Sequence, residues 1–397
     1  MNFSEKVKTL YQAHNDSLIL NPTENIPWSH STDTDFLQGL YIPEYSRDAN
    51  AKVIFGGRPG LNDPNINVYH LWENLLGTPN ISMKYHSGLD AHIMLFMSIS
   101  EIGDKVLLLP EAAGGHFSAQ QILNRLGLKV IEFPIAKEDK MIDSAASMHI
   151  IEREQPRFIF IDRSEGLNYE DFSWLKKYHH ICKIFDASQY LTHIIANDYV
   201  SPFKMGFDVV VSTLHKNYPG YQKAVVFTPE DSPYWPEISN GLNTYISNIH
   251  SKDIVDTILA TPSKDKLAKY SQLVLDNANE LNDALQKLGV PVVERNTTWS
   301  STQHIWIQAH DRDEAYLCFR RLEELHIFTN YRLLPYELGY GLRLGTAAAT
   351  RQGMIPGDAF SIAEVIAKVW HERSITSDVR TQARTIIAEI RTRKEDQ

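Results

Sequence analysis

A lysine closes the apolar run at 207–216, which reads Phe-Asp-Val-Val-Val-Ser-Thr-Leu-His-Lys. Buried strands of a parallel sheet present ligand-binding groups just past their carboxyl ends. A lysine partly desolvated there, as Lys216 would be, has a lowered pKa and forms imines with aldehydes. The alternative is an ordinary surface lysine. Asp186 ends a second apolar run, Ile184-Phe-Asp-Ala187. A carboxylate in such a place is costly unless a cation pairs with it. A pyridinium N–H is one such partner; the alternative role is a helix N-cap. The two residues lie 216 − 186 = 30 positions apart, about one strand–connection–strand unit, so one bound molecule could touch both.

Three further stretches add groups of complementary kinds. His86-Ser-Gly-Leu-Asp-Ala91 precedes an apolar helix, and Ser87 and Gly88 supply a hydroxyl and an unhindered backbone at a helix N-terminus, a geometry that binds phosphate. Gly114-Gly-His-Phe-Ser118 turns tightly and brings His116 over a pocket, where an imidazole can stack on a planar ring. Gly341-Leu-Arg-Leu-Gly345 places Arg343 on an apolar strand, where a carboxylate or phosphate is the expected bidentate partner. The plain alternatives are a common Ser-Gly turn, a structural histidine and a structural ion pair with a nearby Asp or Glu.

Strand and helix patterns alternate along the chain in a way that could position these groups. Apolar runs at 105–110, 129–134, 157–161, 182–185, 208–212 and 224–227 read as strands. Helical patterns fall at 91–100, 120–126 and 172–179. Short β-rich runs separated by helices point to an α/β fold with a largely parallel sheet covered on both faces. From about residue 254 the pattern changes. A long amphipathic helix at 264–288 is followed by a strand at 304–308, a helix at 313–325, the segment 341–345, and helices at 359–370 and 378–393. The division expected is an N-terminal arm, 1–25, a large domain, 26–264, and a smaller α+β domain, 265–397. The charged end, 391–396, reads as solvated.

Composition narrows the class. The chain has 397 residues, 43% apolar and 22% charged, with a net charge of −10. These are globular proportions, and the acidic balance argues against a nucleic-acid partner. Two cysteines, Cys182 and Cys318, form neither a metal motif nor a disulfide scaffold, so a reducing cytoplasm is the expected location and no metal is expected. The first ten residues carry Glu5, Lys6 and Lys8, unlike a signal peptide, and no run of about 20 uncharged apolar residues suggests a membrane span.

The order of these motifs resembles fold-type I pyridoxal-phosphate enzymes, and most closely the serine hydroxymethyltransferase family. Leu20-Asn-Pro-Thr-Glu-Asn25 is similar to that family's early Ser-Glu-Asn segment, Phe55-Gly-Gly57 to its Tyr-Gly-Gly, and Thr213-Leu-His-Lys216 to its Thr-Thr-His-Lys. His86-Ser-Gly88 and Gly114-Gly-His116 match as they stand. Arg343-Leu-Gly-Thr346 and Thr350-Arg-Gln-Gly353 resemble its late arginine stretch. The resemblance spans residues 20 to about 355. It implies a mostly parallel seven-stranded sheet in the large domain and pyridoxal 5′-phosphate as cofactor. Lys216 would hold the cofactor as an internal aldimine, Asp186 would keep its pyridine nitrogen protonated, and His116 would stack on the ring. Ser87 and Gly88 would hold the phosphate, and Gln189, Thr213 and His215 would complete the cofactor's surroundings. Arg343 would clamp a substrate carboxylate, with Thr23 and Glu24 nearby. Tyr45 falls on a tyrosine that reaches the neighbouring subunit's site, which implies a homodimer with shared active sites, and it is expected to touch both cofactor and substrate.

Departures from the family fall on the substrate side. Arg47 stands where the family has a glutamate that serves proton transfer and faces folate. Ile54-Phe-Gly-Gly57 stands where the family has Tyr-Tyr-Gly-Gly, so a phenol near the substrate hydroxyl is gone, Asp186-Ala-Ser-Gln189 has glutamine for histidine, and Gly220-Tyr-Gln-Lys-Ala224 replaces Gly-Pro-Arg-Gly-Gly. The expected activity is therefore to make or break the Cα–Cβ bond of a small β-hydroxy amino acid through a quinonoid, as an aldolase or transaldolase does. An aldehyde co-substrate is expected and folate is not. Alternatives are a folate-dependent hydroxymethyltransferase of serine or an α-substituted serine, another pyridoxal-phosphate reaction on the same scaffold, and a non-catalytic binding protein.

Overall fold

Four runs without polar alternation, Phe158–Asp162, Cys182–Asp186, Val209–Thr213 and Ala224–Thr228, are buried along their whole length. Strands covered on both faces show that pattern. The computed structural model describes residues 3–28, 69–246, 251–297, 300–372 and 374–393. In it these runs belong to a seven-stranded sheet. Along the chain its strands are β1 (Asn80–Tyr85), β2 (Lys105–Leu108), β3 (Lys129–Glu132), β4 (Phe158–Asp162), β5 (Cys182–Asp186), β6 (Val209–Thr213) and β7 (Ala224–Thr228). Their spatial order is β1-β7-β6-β5-β4-β2-β3.

The pairs β6–β5, β5–β4, β4–β2 and β2–β3 are parallel, while β7 runs antiparallel to both β6 and β1. Chain length explains the exception: parallel neighbours need a crossover of a dozen or more residues, whereas the connection from Thr213 to Ala224 is too short for one. The sheet is thus mostly parallel, as expected of fold-type I. Helix α1 (Gly88–Ile99) lays Ala91, Leu95, Phe96 and Ile99 into a core shared with Val106, Phe158, Ile184, Val209 and Val226.

The chain divides into two compact units, Pro27–Ser164 with Asp171–Ala268, and Met1–Ile26 with Glu165–Glu170 and Lys269–Gln397. The first holds the large sheet. The second is built on a three-stranded antiparallel sheet in which β10 (Gly339–Gly345) lies between β8 (His304–Gln308) and β9 (Asn330–Leu334). Helices α2 (Lys264–Lys287), α3 (Arg312–Glu324), α4 (Ala359–His371) and α5 (Ser377–Thr392) contribute Leu281, Leu285, Leu322, Ile362, Ile366 and Ile387 to its core. Leu18–Ile19 pairs in parallel with Ile327–Phe328, so these early residues are built into the second unit's fold.

Two local expectations are corrected. The helix at 172–179 is a short 3₁₀ turn, Ser173–Lys177, in which only Leu175 is buried; one apolar anchor does not offset the cost of helix nucleation. The end of α5 is tied down rather than simply solvated: Arg393 donates to the Gly353 carbonyl at 3.0 Å and pairs with Asp358.

Candidate active site

The carboxyl ends of the parallel strands converge on one cavity of about 300 Å³. Asp162, Asp186 and Thr213 are the last residues of β4, β5 and β6, and all three line it. Ser87 and Gly88 arrive from the turn after β1, His116 from the loop after β2, and His215 and Lys216 from the loop after β6. Leu89, His92, Ser164, Ser188 and Gln222 complete the lining. The close approach of α1 to β6 depends on Gly88, because a Cβ there would lie 2.7 Å from the Thr213 methyl. Gly115 serves the His116 loop similarly: a Cβ would lie 2.2 Å from the Leu109 carbonyl oxygen.

Ser87 is the N-cap of α1, and its Oγ accepts the Asp90 N–H at 3.2 Å. That bond uses a lone pair and leaves the hydroxyl proton available to an anion at the helix N-terminus, where the helix dipole also favours negative charge. His116 sits in its loop with Nδ1 2.7 Å from the Ser118 hydroxyl, and its ring stacks against Phe117 at 4.6 Å between centroids. His215 is held neutral, since burial, reinforced by the neighbouring Lys216, pulls its pKa down to about 4. The Thr213 hydroxyl and the His215 Nδ1 are buried with no hydrogen-bond partner among the described residues.

Asp186 is the best-determined group. The His92 ring reaches it through Nε2 at 2.7 Å, and the Ser188 N–H donates to its other oxygen at 2.7 Å. It caps no helix; the helix Leu191–Ala196 begins at Tyr190 without a side-chain cap. Burial favours the neutral acid, but the His92 hydrogen bond and charge, a hydrogen bond from the Ser188 side chain and the Lys216 charge outweigh it and hold Asp186 below the usual carboxylate range. Asp162 stands beside it as its Cα partner in the β4–β5 ladder. Burial, with the Asp186 charge, pushes Asp162 up to about 7.

The expected site residues fall into separate groups. Lys216, Asp186, His116, Ser87, Gly88, Thr213 and His215 share the cavity. Gln189 is buried in the turn after β5, and Ser188 rather than Gln189 is in the lining. Arg343, Thr23 and Glu24 belong to the second unit. There Thr23 and Glu24 form a turn around Asn21, whose side chain accepts from the Thr23 hydroxyl at 2.8 Å and donates to Glu24 at 3.0 Å. Arg343, buried on β10, has Glu165 at 3.3 Å, and Arg332 pairs with the same carboxylate. The structural ion pair left open by the sequence therefore exists. Burial lowers the Arg343 pKa to about 10, so the guanidinium keeps its charge at neutral pH. Tyr45 and Arg47, with 54–57, lie outside the described residues.

His92, Asp162, Ser164, Ser188 and Gln222 were not singled out from the sequence. Two signals were present. Phe160-Ile-Asp162 ends its apolar run as Ile184-Phe-Asp186 ends its own, and His92 is a polar residue on the helix face that otherwise carries Leu95, Phe96 and Ile99.

These residues fit pyridoxal 5′-phosphate. Lys216 would supply an amine for its aldehyde, Asp186 an anionic carboxylate for its ring nitrogen, His116 an imidazole for its face and Ser87 with the α1 N-terminus a site for its phosphate. The partnerless Thr213 hydroxyl is one further donor that a ligand can satisfy. In architecture the chain is similar to a solved L-threonine transaldolase from Pseudomonas fluorescens in its internal aldimine state, with a TM-score of 0.86, 22% identity, and 98% of this chain and 90% of that one covered. Curated relatives include serine hydroxymethyltransferases from Aeropyrum pernix and Sulfolobus acidocaldarius. The first is 26% identical over 87% of this chain and 81% of the relative, and the second 26% identical over 92% and 87%. The family model described as serine hydroxymethyltransferase matches residues 68–366. A cavity equipped for the cofactor, on a fold of this type and under a family match covering most of the sequence, leads to one assignment: the chain belongs to the serine hydroxymethyltransferase family of pyridoxal 5′-phosphate enzymes.

Proposed function

We propose that the enzyme makes or breaks the Cα–Cβ bond of a small β-hydroxy amino acid, with an aldehyde as the other substrate and without tetrahydrofolate. The observation that carries this reading is Arg47, a cation where the family resemblance expects a carboxylate. A carboxylate can accept a proton and a hydrogen bond; a guanidinium only donates and stays charged at neutral pH. A permanent positive charge disfavours a cationic one-carbon intermediate and suits an aldehyde bearing a carboxylate or phosphate. One solved protein of similar fold is a threonine transaldolase, which is chemistry of this class.

Bound pyridoxal 5′-phosphate supplies a sink for the electron pair left at Cα when the bond breaks. The remaining roles fall to side chains of this protein. Lys216 offers the amine that anchors the aldehyde, with neutral His215 beside it as a group that takes or returns a proton. Asp186, kept anionic, holds a proton on the ring nitrogen. His116 covers the ring, and Ser87 and the α1 N-terminus neutralise the phosphate. Arg343 orients the amino-acid carboxylate. Thr23, Glu24 and Tyr45 complete the substrate's surroundings, and Tyr45 acts in the neighbouring subunit's site of a homodimer. The large domain is then the cofactor-binding domain and the C-terminal region the substrate-orienting one.

The names of the curated relatives favour a second reading, a folate-dependent hydroxymethyltransferase. The assay that decides is cleavage of threonine and serine by the holoenzyme with and without tetrahydrofolate. Threonine turnover indifferent to folate is expected. A large folate-dependent rise in serine turnover, with tight folate binding, would establish the second reading instead.

A further inference from the structure

Asp162 and Asp186 end adjacent parallel strands at the same register, so two carboxylates share one buried edge of the cavity. His92 stands with them, its Nε2 2.7 Å from Asp186 and its Nδ1 4.0 Å from Asp162. It is 4% exposed, and Phe160 packs edge-on to its ring at 5.0 Å between centroids. Its Nδ1 and the facing Asp162 Oδ2 are both buried and lack a hydrogen-bond partner among the described residues. Two anions this close cannot both stay charged on one cation without cost, so one proton is left to be placed. The shorter contact decides where: Asp186, held by His92 and Ser188, remains the anion, and Asp162 is the acid that holds the proton.

We propose that His92 and Asp162 are positioning residues for Asp186. His92, as an imidazolium, locks and charges it, and Asp162 holds the proton that two carboxylates and one imidazolium leave over. Among the described residues, the charged groups facing His92 are Asp186 on β5, Asp162 on β4 and the Lys216 ammonium beyond β6. Burial and Lys216 oppose charge on the imidazole, but the Asp186 hydrogen bond and charge, joined by the Asp162 charge once that acid ionises, prevail and lift its pKa above the ordinary value. Loss of the Asp162 proton strengthens the field on His92, and through it the hold on Asp186. The site's demand for a proton at the ring nitrogen therefore changes with pH near neutrality. This depends on Asp186 as the ring-nitrogen partner, and the experiment separates the two ideas.

The full chain with ¹⁵N-labelled histidine rings, with and without pyridoxal 5′-phosphate, would be followed by NMR across the neutral range. In the cofactor-free wild type, His92 is expected to keep both ring nitrogens protonated at about pH 7.5, where an unperturbed histidine is mostly neutral. In the holoenzyme, the cofactor absorption bands should show an inflection near pH 7. Asp162→Asn should remove the inflection and lower the His92 titration midpoint while cofactor stays bound. His92→Gln should weaken cofactor affinity about tenfold or more, the scale of a lost hydrogen bond to a charged group. A wild-type His92 already neutral at that pH would overturn the proposal whether or not any variant folds, as would an inflection that persists in a folded Asp162→Asn protein. Failure of the wild type to bind the cofactor would count against the reading of the pocket, while the cofactor-free His92 spectrum would still decide the charge on the imidazole.

Discussion

Arg343 poses the sharpest question at the level of single residues, because its guanidinium is both a proposed substrate clamp and half of a buried ion pair. Glu165 is shared between Arg343 and Arg332, so one carboxylate faces two cations and the trio keeps a net positive charge. That surplus suits a substrate carboxylate. Arg343→Ala is expected to weaken amino-acid binding by on the order of 2–5 kcal/mol while the cofactor spectrum stays that of the wild type. Titration of the holoenzyme with the amino acid measures it. A purely structural arginine would lower thermal stability, by about 3–5 kcal/mol for a broken buried pair, and leave the affinity of the folded protein unchanged.

At the level of elements, the cavity depends on how closely its loops and α1 approach the sheet. Gly88 and Gly115 test this with opposite outcomes. A methyl at Gly88 meets the Thr213 side chain, which can yield, whereas a methyl at Gly115 meets backbone at Leu109 and Pro110, which cannot. Gly88→Ala should therefore keep the fold, with a cost of about 1–3 kcal/mol, and lose cofactor affinity by displacing Thr213 and the α1 N-terminus. Gly115→Ala should cost more than that and deplete folded protein. Denaturant unfolding alongside cofactor titration separates the two. The need for glycine at 88 is legible in His86-Ser-Gly88, since a hydroxyl and a small residue before an apolar helix already suggest an anion site. The partner that enforces it, Thr213, comes from a strand more than a hundred residues away and cannot be read locally.

At the level of the whole molecule, the buried carboxylates tie folding stability to pH in opposite directions. Asp162 has a folded-state pKa near 7 against an ordinary 3.8, so the native state keeps a proton that the unfolded chain releases. Its contribution is full below the ordinary value and is lost as pH rises through about 7, with a slope of up to about 1.4 kcal/mol per pH unit. Asp186, shifted downward, contributes above the ordinary value and loses that contribution as the pH falls. His92, shifted upward, sides with Asp162. The cofactor-free protein should lose stability as the pH rises from about 4 to about 7, and Asp162→Asn should flatten that decline. Urea unfolding at several pH values checks it; parallel curves for the two proteins would contradict the assignment.

Much of the scaffold and part of the cavity lining could be read from residue order alone. Apolar runs without alternation mark strands buried on both faces, and the polar residues at their ends mark the cavity, because local sequence dictates burial pattern and strand termini. Lys216, Asp186, His116 and Ser87-Gly88 were accessible in this way. The connection between Thr213 and Ala224 likewise implies a hairpin once its length is weighed, although its strand reads like its parallel neighbours. The charge pairs were not accessible. Asp162 and Asp186 are 186 − 162 = 24 positions apart, and Arg343 and Glu165 are 343 − 165 = 178 apart. Each pair exists because strand register or chain packing brings the two groups into one water-poor space, where the energy of a charge depends on what faces it. Residue types announce which chemistry is possible; the register of distant strands decides which carboxylate is charged, which holds a proton, and which arginine already has a partner.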